Sequence, residues 1–133
     1  RTFNYVTHFT HWTVSHAHLG LYGFTTMVFF GGMIFALPRL LGHNWKRPGL
    51  VNLHFWLAAT GVLIYTITLG IGGILQGLEL RNPDGSFEAS LKVTLPYLMG
   101  RSVGGTLMLC SHLVFAFNIW ELLALSRQKG VQP

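Results

Sequence analysis

The chain has 133 residues, of which 50% are hydrophobic and only 10% are charged. Soluble domains carry about 25% charged residues, and a soluble three-helix domain needs polar outer faces that this sequence lacks. The formal net charge of +5 comes from basic residues in predicted loops. We therefore interpret the positive charge as orienting membrane helices, and we expect no nucleic-acid partner.

Three stretches contain no Asp, Glu, Lys or Arg: residues 2–38, 48–78 and 102–120. Each can hold the ~20 apolar residues that cross a bilayer. The sequence predicts an all-α membrane protein, with transmembrane helices at about 12–41, 51–77 and 102–126 and a polar outer loop at 78–101. We expect residues 1–133 to form a single membrane unit. The chain begins as if it were a fragment of a longer polypeptide, so these helices are expected to belong to a larger bundle.

The predicted outer loop contains "FEASLKVTLPYL", residues 87–98, which is expected to form a short interfacial helix before Pro96. The predicted helices are also rich in glycine, and most of these glycines are expected at helix–helix contacts. They are Gly20, Gly23, Gly31, Gly32, Gly61, Gly70, Gly72, Gly73, Gly104 and Gly105.

Lys and Arg predict which side of the membrane each end faces. Five of them lie in or beside the first loop and after the third helix: Arg39, Lys46, Arg47, Arg127 and Lys129. Four lie on the opposite side: Arg1, Arg81, Lys92 and Arg101. This small bias favours a cytoplasmic C-terminus, with residues 1–11 and 78–101 outside.

Histidines are concentrated at the start of the first predicted helix, in "HFTHWTVSHAHLGLYGF", residues 8–24. Successive helix residues turn by about 100°, so His16 and His18 diverge by about 200° and point to opposite flanks. They cannot share one metal ion, whereas each can give an axial imidazole to its own haem iron. Two core histidines bonded to carbonyls or waters are the alternative, but buried polar rings in a membrane usually serve a site.

The residues after the two histidines predict two unlike pockets. Gly20, Gly23 and Met27 follow His16 at helical spacing, and the two glycines would let a flat macrocycle approach the backbone. The wall after His18 is fuller and partly polar, with Leu21, Tyr22, Thr25 and Phe29.

With these histidines, "LHFWLAATGVLIY", "GIGGILQGLELR" and "LPYLMGRSVGG…FAFN" resemble the catalytic subunit of haem–copper oxidases. The resemblance is to the C family, the cbb3-type cytochrome c oxidases, and to the related cytochrome-c-dependent nitric oxide reductases. It covers essentially the whole chain, as the last three of about twelve helices. "AHLGLYG" and "NYVTH" resemble the nitric oxide reductase version.

The resemblance implies two b-type haems. It makes His16 the axial ligand of a high-spin haem and His18 an axial ligand of a low-spin haem, and it places Arg101 and His8 beside haem propionates. Copper would be bound by upstream residues, or non-haem iron in a nitric oxide reductase. His54 and His112 match no ligand and are interpreted as hydrogen-bonding residues, His54 near the inner membrane edge.

The resemblance implies a respiratory terminal oxidase that reduces O2 to water with electrons from cytochrome c and translocates protons. The implied partners are the rest of the catalytic subunit, membrane-anchored c-type cytochrome subunits and the lipid bilayer of a bacterial inner membrane. Two alternatives stay open: a nitric oxide reductase forming N2O from NO, and a non-catalytic haem-binding membrane subunit.

Overall fold

The computed structural model describes residues 2–129. Arg1, predicted outside the membrane, and the C-terminus, predicted in the cytoplasm, lie outside the described residues. The described chain is helical. Its elements are α1 (Thr2–Thr7), α2 (His11–His18), a π-helix (Leu19–Thr26), α3 (Met27–Leu41), α4 (Pro48–Glu79) and α5 (Phe87–Lys129). The segments His11–Leu41, Pro48–Glu79 and Phe87–Arg127 are long and apolar enough to cross a membrane. The predicted all-α fold with three transmembrane helices is confirmed.

Local sequence signals explain the start of α2, the end of α3 and the start of α4. Thr10 caps α2 by accepting the backbone N–H of Trp12 with its hydroxyl. Gly42 ends α3 in the left-handed conformation, with φ of 69°, which glycine adopts without steric cost. Pro48 occupies the first turn of α4, where a missing N–H costs nothing.

The third helix is much longer than predicted, because α5 begins at Phe87 and continues through Pro96. The expectations of a separate interfacial helix before Pro96 and of a loop reaching residue 101 are therefore wrong. Packing against α4 overrides the local signal. A Cβ on Gly72 would lie 2.6 Å from Tyr97, and one on Gly100 would lie 2.5 Å from Thr68, so both glycines are needed for this close approach.

The helices α4 and α5 form the main packed pair, and glycine lets their backbones meet. A Cβ on Gly104 would lie 2.7 Å from the carbonyl oxygen of Gly61, and a Cβ on Gly61 would lie 2.9 Å from that of Gly104. Around this crossing lies the buried cluster of Tyr22, Ala58, Val62, Tyr65, Leu69 and Met108. Lipid supplies no hydrophobic driving force between helices, so their association depends on the close van der Waals packing that small residues allow.

Two further glycines and one serine let α1 and α2 pack across α4. A Cβ on Gly73 would overlap the backbone of Trp12, and one on Gly77 would overlap the carbonyl of Val6. The buried Ser15 hydroxyl donates to the carbonyl oxygen of Thr66 at 2.6 Å. These contacts fix the position and rotation of the helix that carries the histidine pair.

The α3 helix has no buried residue. Phe29, Phe35 and Leu40 are exposed along it, which suits lipid or further helices rather than water. A Cβ would meet nothing within 4 Å at Gly20, Gly31, Gly32 and Gly105. The prediction of glycine-mediated packing is therefore confirmed for glycines of the α4–α5 and α2–α4 contacts and not for these four.

Candidate functional site

The histidine pair lies at the end of α2, which is anchored to α4 at both ends. At its start, the backbone N–H of His11 donates to Oε1 of Gln76 at 3.0 Å. One turn later, the Ser15 bond to the carbonyl of Thr66 holds the residue directly before His16. The imidazoles at 16 and 18 therefore project from a segment whose rotation is set by hydrogen bonds to a neighbouring helix.

His18 has a fixed tautomer. Its Nδ1 lies 2.9 Å from the carbonyl oxygen of Val14, and because a carbonyl only accepts, Nδ1 carries the proton. The lone pair is then on Nε2, which faces the hydroxyl of Tyr65 at 3.4 Å. Metal-ligating histidines usually donate one ring N–H to a backbone carbonyl or a carboxylate, which leaves the other ring nitrogen free to bind the metal.

His16 lies on the other flank of α2. Its ring is exposed and stacks on the indole of Trp12, with centroids 5.1 Å apart and planes 5° apart. His18 is half-buried against α4, and its ring lies 4.7 Å from the ring of Tyr65. The two imidazoles therefore face different surroundings. No three His, Cys, Asp or Glu side chains of residues 2–129 come together as a metal-binding group.

The π-helix directly after His18 changes which residues share a face. The prediction that Gly20, Gly23 and Met27 continue the face of His16 assumed an α-helix, but Leu19–Thr26 turns more slowly. A Cβ on Gly23 would lie 3.7 Å from Val62 of α4. Gly23 therefore has α4 on one side, and its predicted place beside His16 stays a prediction. Gly20 has open space around it.

Arg101 and His8 have different surroundings. Arg101 is exposed, and its guanidinium carbon lies 5.9 Å from the centre of the Tyr65 ring, so this ring connects Arg101 with His18. No carboxylate of the described residues pairs with Arg101. His8 is exposed and packs on Phe9 at 4.0 Å, without a hydrogen bond from its ring to any described residue. Among the described residues, a contact through Tyr65 links Arg101 to His18, and the contact described for His8 is with Phe9.

Sequence reasoning missed three residues of this site. Ser15 and Gln76 position α2, and Tyr65 faces Nε2 of His18. Gln76 could have been found from the sequence, because a polar side chain near the end of an apolar helix indicates a functional contact. The partner of a serine or tyrosine two helices away is set by tertiary packing and leaves no local pattern.

A second polar cluster lies between the helices on the other side of the buried cluster. His54 is 1% exposed and its Nδ1 lies 2.7 Å from Oγ and 3.0 Å from the carbonyl oxygen of Ser111. The interpretation of His54 as a hydrogen-bonding residue is confirmed, with α4 turning its ring into the contact with α5, and its position near the inner membrane edge stays a prediction. The hydroxyl of Tyr22 lies 3.2 Å from Nε2 of His112.

The donor set around residues 16 and 18 fits two haems in part. The anchored Nδ1–H of His18, the open space at Gly20 and the unpaired guanidinium of Arg101 suit an iron, a flat ring and carboxylates respectively. The hydroxyl of Tyr65 lies on the ligating side of His18, so iron binding there requires this side chain to turn away.

The geometry defines a membrane-spanning helical protein that presents two imidazoles on opposite flanks of one helix. The family model described as Cytochrome C and Quinol oxidase polypeptide I matches residues 1–107, and the chain belongs to this family.

Three curated relatives agree with this assignment. The chain is 37% identical over 128 residues to "Cbb3-type cytochrome c oxidase subunit CcoN1" of Stutzerimonas stutzeri, covering 91% of this chain and 27% of the relative. It is 36% identical over 132 residues to "Cytochrome c oxidase subunit 1" of Rhodobacter capsulatus, covering 91% and 24%. It is 30% identical over 138 residues to a nitric oxide reductase subunit of Stutzerimonas stutzeri, covering 98% and 28%. The chain thus spans about a quarter of the length of these relatives.

Proposed function

We propose that this chain is the haem-ligating C-terminal part of the catalytic subunit of a cbb3-type terminal oxidase, which reduces O2 to water with electrons from cytochrome c and translocates protons. The observation that carries the proposal is the opposed pair His16 and His18, with the Nδ1–H of His18 bonded to a carbonyl. Family membership and similarity to "Cbb3-type cytochrome c oxidase subunit CcoN1" support the oxidase class.

Within this proposal, His16 binds the high-spin haem iron and His18 the low-spin haem iron, both haems being b-type. Arg101 binds the carboxylates of the low-spin haem through charge-assisted hydrogen bonds, and His8 is a weaker candidate for the same role. Gly20 leaves room for a ring plane beside α2. Gly23 is a second position for this ring, with less open space than Gly20 because Leu19 and Val62 lie near it.

The haems supply electron transfer and oxygen binding, and the protein sets their positions. Ser15 and Gln76 fix the rotation of α2, so that residues 16 and 18 hold a constant angle to each other. Copper, the other ligands, the remaining helices and membrane-anchored c-type cytochromes are assigned to the rest of the complex. We place it in a bacterial inner membrane with the C-terminus in the cytoplasm.

A nitric oxide reductase forming N2O from NO is the second candidate, favoured by 30% identity to the nitric oxide reductase subunit of Stutzerimonas stutzeri. Its second metal would be non-haem iron, which prefers a carboxylate among its ligands. Metal analysis of the purified complex separates the two, because the oxidase contains copper. Turnover of O2 or of NO gives an independent answer.

The ligand assignment is tested by changing each histidine in the complete complex and recording optical spectra. We expect His18→Ala to remove the low-spin haem signal and His16→Ala to disturb the high-spin haem that binds carbon monoxide. His43→Ala, in the loop after α3, is the matched control and should leave both signals. Two normal haems in both variants would favour the third candidate, a non-catalytic membrane subunit whose haems are held elsewhere.

A further inference from the structure

Two histidines remain inside the predicted membrane region that the proposed function does not use. His54 of α4 and His112 of α5 both pack on Phe30, with ring centroids 4.6 and 5.5 Å from it. Ionisable side chains within a membrane are expensive to bury and mark functional sites by default. This pair therefore calls for a role in addition to packing.

The hydrogen bonds show which of the two is able to take up a proton. The Nδ1–H of His54 is donated to Ser111, and the ring is sandwiched by Phe30 and Phe115 at 4.6 Å each. A second proton would place a charge on a side chain that is 1% exposed and borders an apolar cavity of about 280 Å³, where an uncompensated charge is costly. His112 is only half-buried, and its Nε2 has the Tyr22 hydroxyl at 3.2 Å as a partner in either protonation state.

The position of Tyr22 links His112 to the histidine pair. Tyr22 follows His18 by four residues, about one helical turn. Tyr22 and Tyr65 belong to one buried cluster, and Tyr65 contacts His18. The side chains in contact with His112 are Tyr22 from the π-helix and Phe30 from α3, and the one other titratable ring on Phe30 among the described contacts is His54 of α4. None of the Asp, Glu, Lys and Arg side chains in residues 2–127 forms an ion pair with either imidazole.

We propose that His112, held by Tyr22, is a proton-binding site that responds to the charge of the low-spin haem. This inference rests on the proposed function, because it requires His18 to bind that haem. An electron added to the haem makes its surroundings more negative, which favours the imidazolium over the neutral ring. At an effective dielectric of 20, a unit charge would change a proton affinity tenfold or more if it lay within about 12 Å. The imidazole binds the proton on reduction and releases it on oxidation, so the balance is one electron and up to one proton.

The experiment is a potentiometric titration of the low-spin haem in the complete complex, repeated at values from about pH 5.5 to about pH 8.5, the region in which histidine side chains change charge. In the wild type we expect the midpoint potential to fall as pH rises, because reduction is accompanied by proton uptake. His112→Gln keeps a polar side chain that can bond Tyr22 but cannot titrate in this range, and it should lose at least half of the pH slope.

Tyr22→Phe separates the titrating ring from its hydrogen bond. It removes the hydroxyl and leaves His112, so the slope should persist. Loss of the slope in both variants would indicate a merely structural effect and would overturn the proposal, as would an unchanged slope in His112→Gln. His43→Gln, a loop histidine, is the control and should behave as the wild type.

Infrared spectroscopy gives a direct readout. Reduction of a complex containing 13C-labelled histidine should produce an imidazolium band that is absent in His112→Gln. A band of equal size in the variant would overturn the assignment. Failure here is distinct from failure of the proposed function, because the low-spin haem and its dependence on His18 are established separately by the optical spectra.

Discussion

Ser15 illustrates how a single hydroxyl controls the histidine pair. It is buried and donates to the carbonyl oxygen of Thr66 at 2.6 Å, so the residue before His16 is tied to a different helix. Most other hydroxyls of the transmembrane segments bond to carbonyls of their own helix, as Thr66 does to Val62 and Ser102 to Leu98. Ser15 therefore sets the position of α2, whereas the other hydroxyls only satisfy their own hydrogen-bonding capacity within one helix.

We expect Ser15→Ala to lower the stability of the complex by about 1 kcal/mol, the usual net value of one hydrogen bond. It should also shift the low-spin haem spectrum, because α2 can rotate. Thermal unfolding in detergent and optical spectra measure the two effects. Ser102→Ala is the control, since its hydroxyl is exposed and bonds within α5. Equal effects in both variants would contradict a positioning role for Ser15.

At the scale of elements, the crossing of α4 and α5 depends on two facing glycines. Gly104 lies so close to α4 that an added Cβ would be 2.7 Å from the carbonyl oxygen of Gly61 and from the backbone nitrogen of Tyr65. Backbone atoms cannot move aside as a flexible side chain can. The neighbouring Gly105 has nothing within 4 Å, so the same substitution one residue later provides a direct comparison.

Gly104→Ala should destabilise the protein by about 1–3 kcal/mol, the usual range for forcing extra volume into a packed contact. It should also displace Tyr65, and with it the contact to His18. Gly105→Ala should be near neutral or slightly stabilising, because alanine favours the helix. Unfolding temperature and haem content of the two variants test this. The prediction fails if Gly105→Ala proves as damaging as Gly104→Ala.

How far the sequence predicts each element follows from the range of the interactions involved. Charge-free apolar stretches predict the first two spans within a few residues of His11–Leu41 and Pro48–Glu79. The start of α5 could not be predicted from the sequence, because Pro96 is a local stop signal and the packing of Tyr97 on Gly72 is a long-range contact. The π-helix could not be predicted for a similar reason, and neither could the contact of Gly23 with α4. The opposed directions of His16 and His18 need only helix geometry.

At the scale of the whole molecule, ion pairs of one carboxylate with two cations connect the helices at the predicted inner edge. Oε1 of the buried Glu121 lies 3.4 Å from Nζ of Lys46 and 3.3 Å from Nη2 of Arg47. The two cations are about half exposed, so water hydrates them, but the carboxylate depends on them for compensation. The loop before α4 is thereby attached to the last turns of α5.

This asymmetry predicts an order of stability. Glu121→Gln leaves two hydrated cations and should cost about 1 kcal/mol. Replacing both cations, Lys46→Gln with Arg47→Gln, leaves a buried charge without compensation and should cost about 3–5 kcal/mol. Glu88→Gln, which breaks the exposed pair with Lys92, is the control and should change stability by less than about 0.5 kcal/mol. Thermal unfolding of the complex measures all three, and the reverse order would refute the role of Glu121.

The same loop predicts the orientation of the molecule. Lys46 and Arg47 lie in the short connection before α4, close to two membrane ends, where positive residues act most strongly. On the opposite side, Lys92 lies within α5 and is paired with Glu88, which makes it a weaker signal. Single cysteines at the exposed positions Asn44 and Asp84, in a Cys110→Ser background, test this orientation. A membrane-impermeant maleimide added to intact spheroplasts should label Asp84→Cys at once, but Asn44→Cys only after permeabilisation. The opposite labelling pattern would invert the topology and place the histidine pair near the cytoplasm.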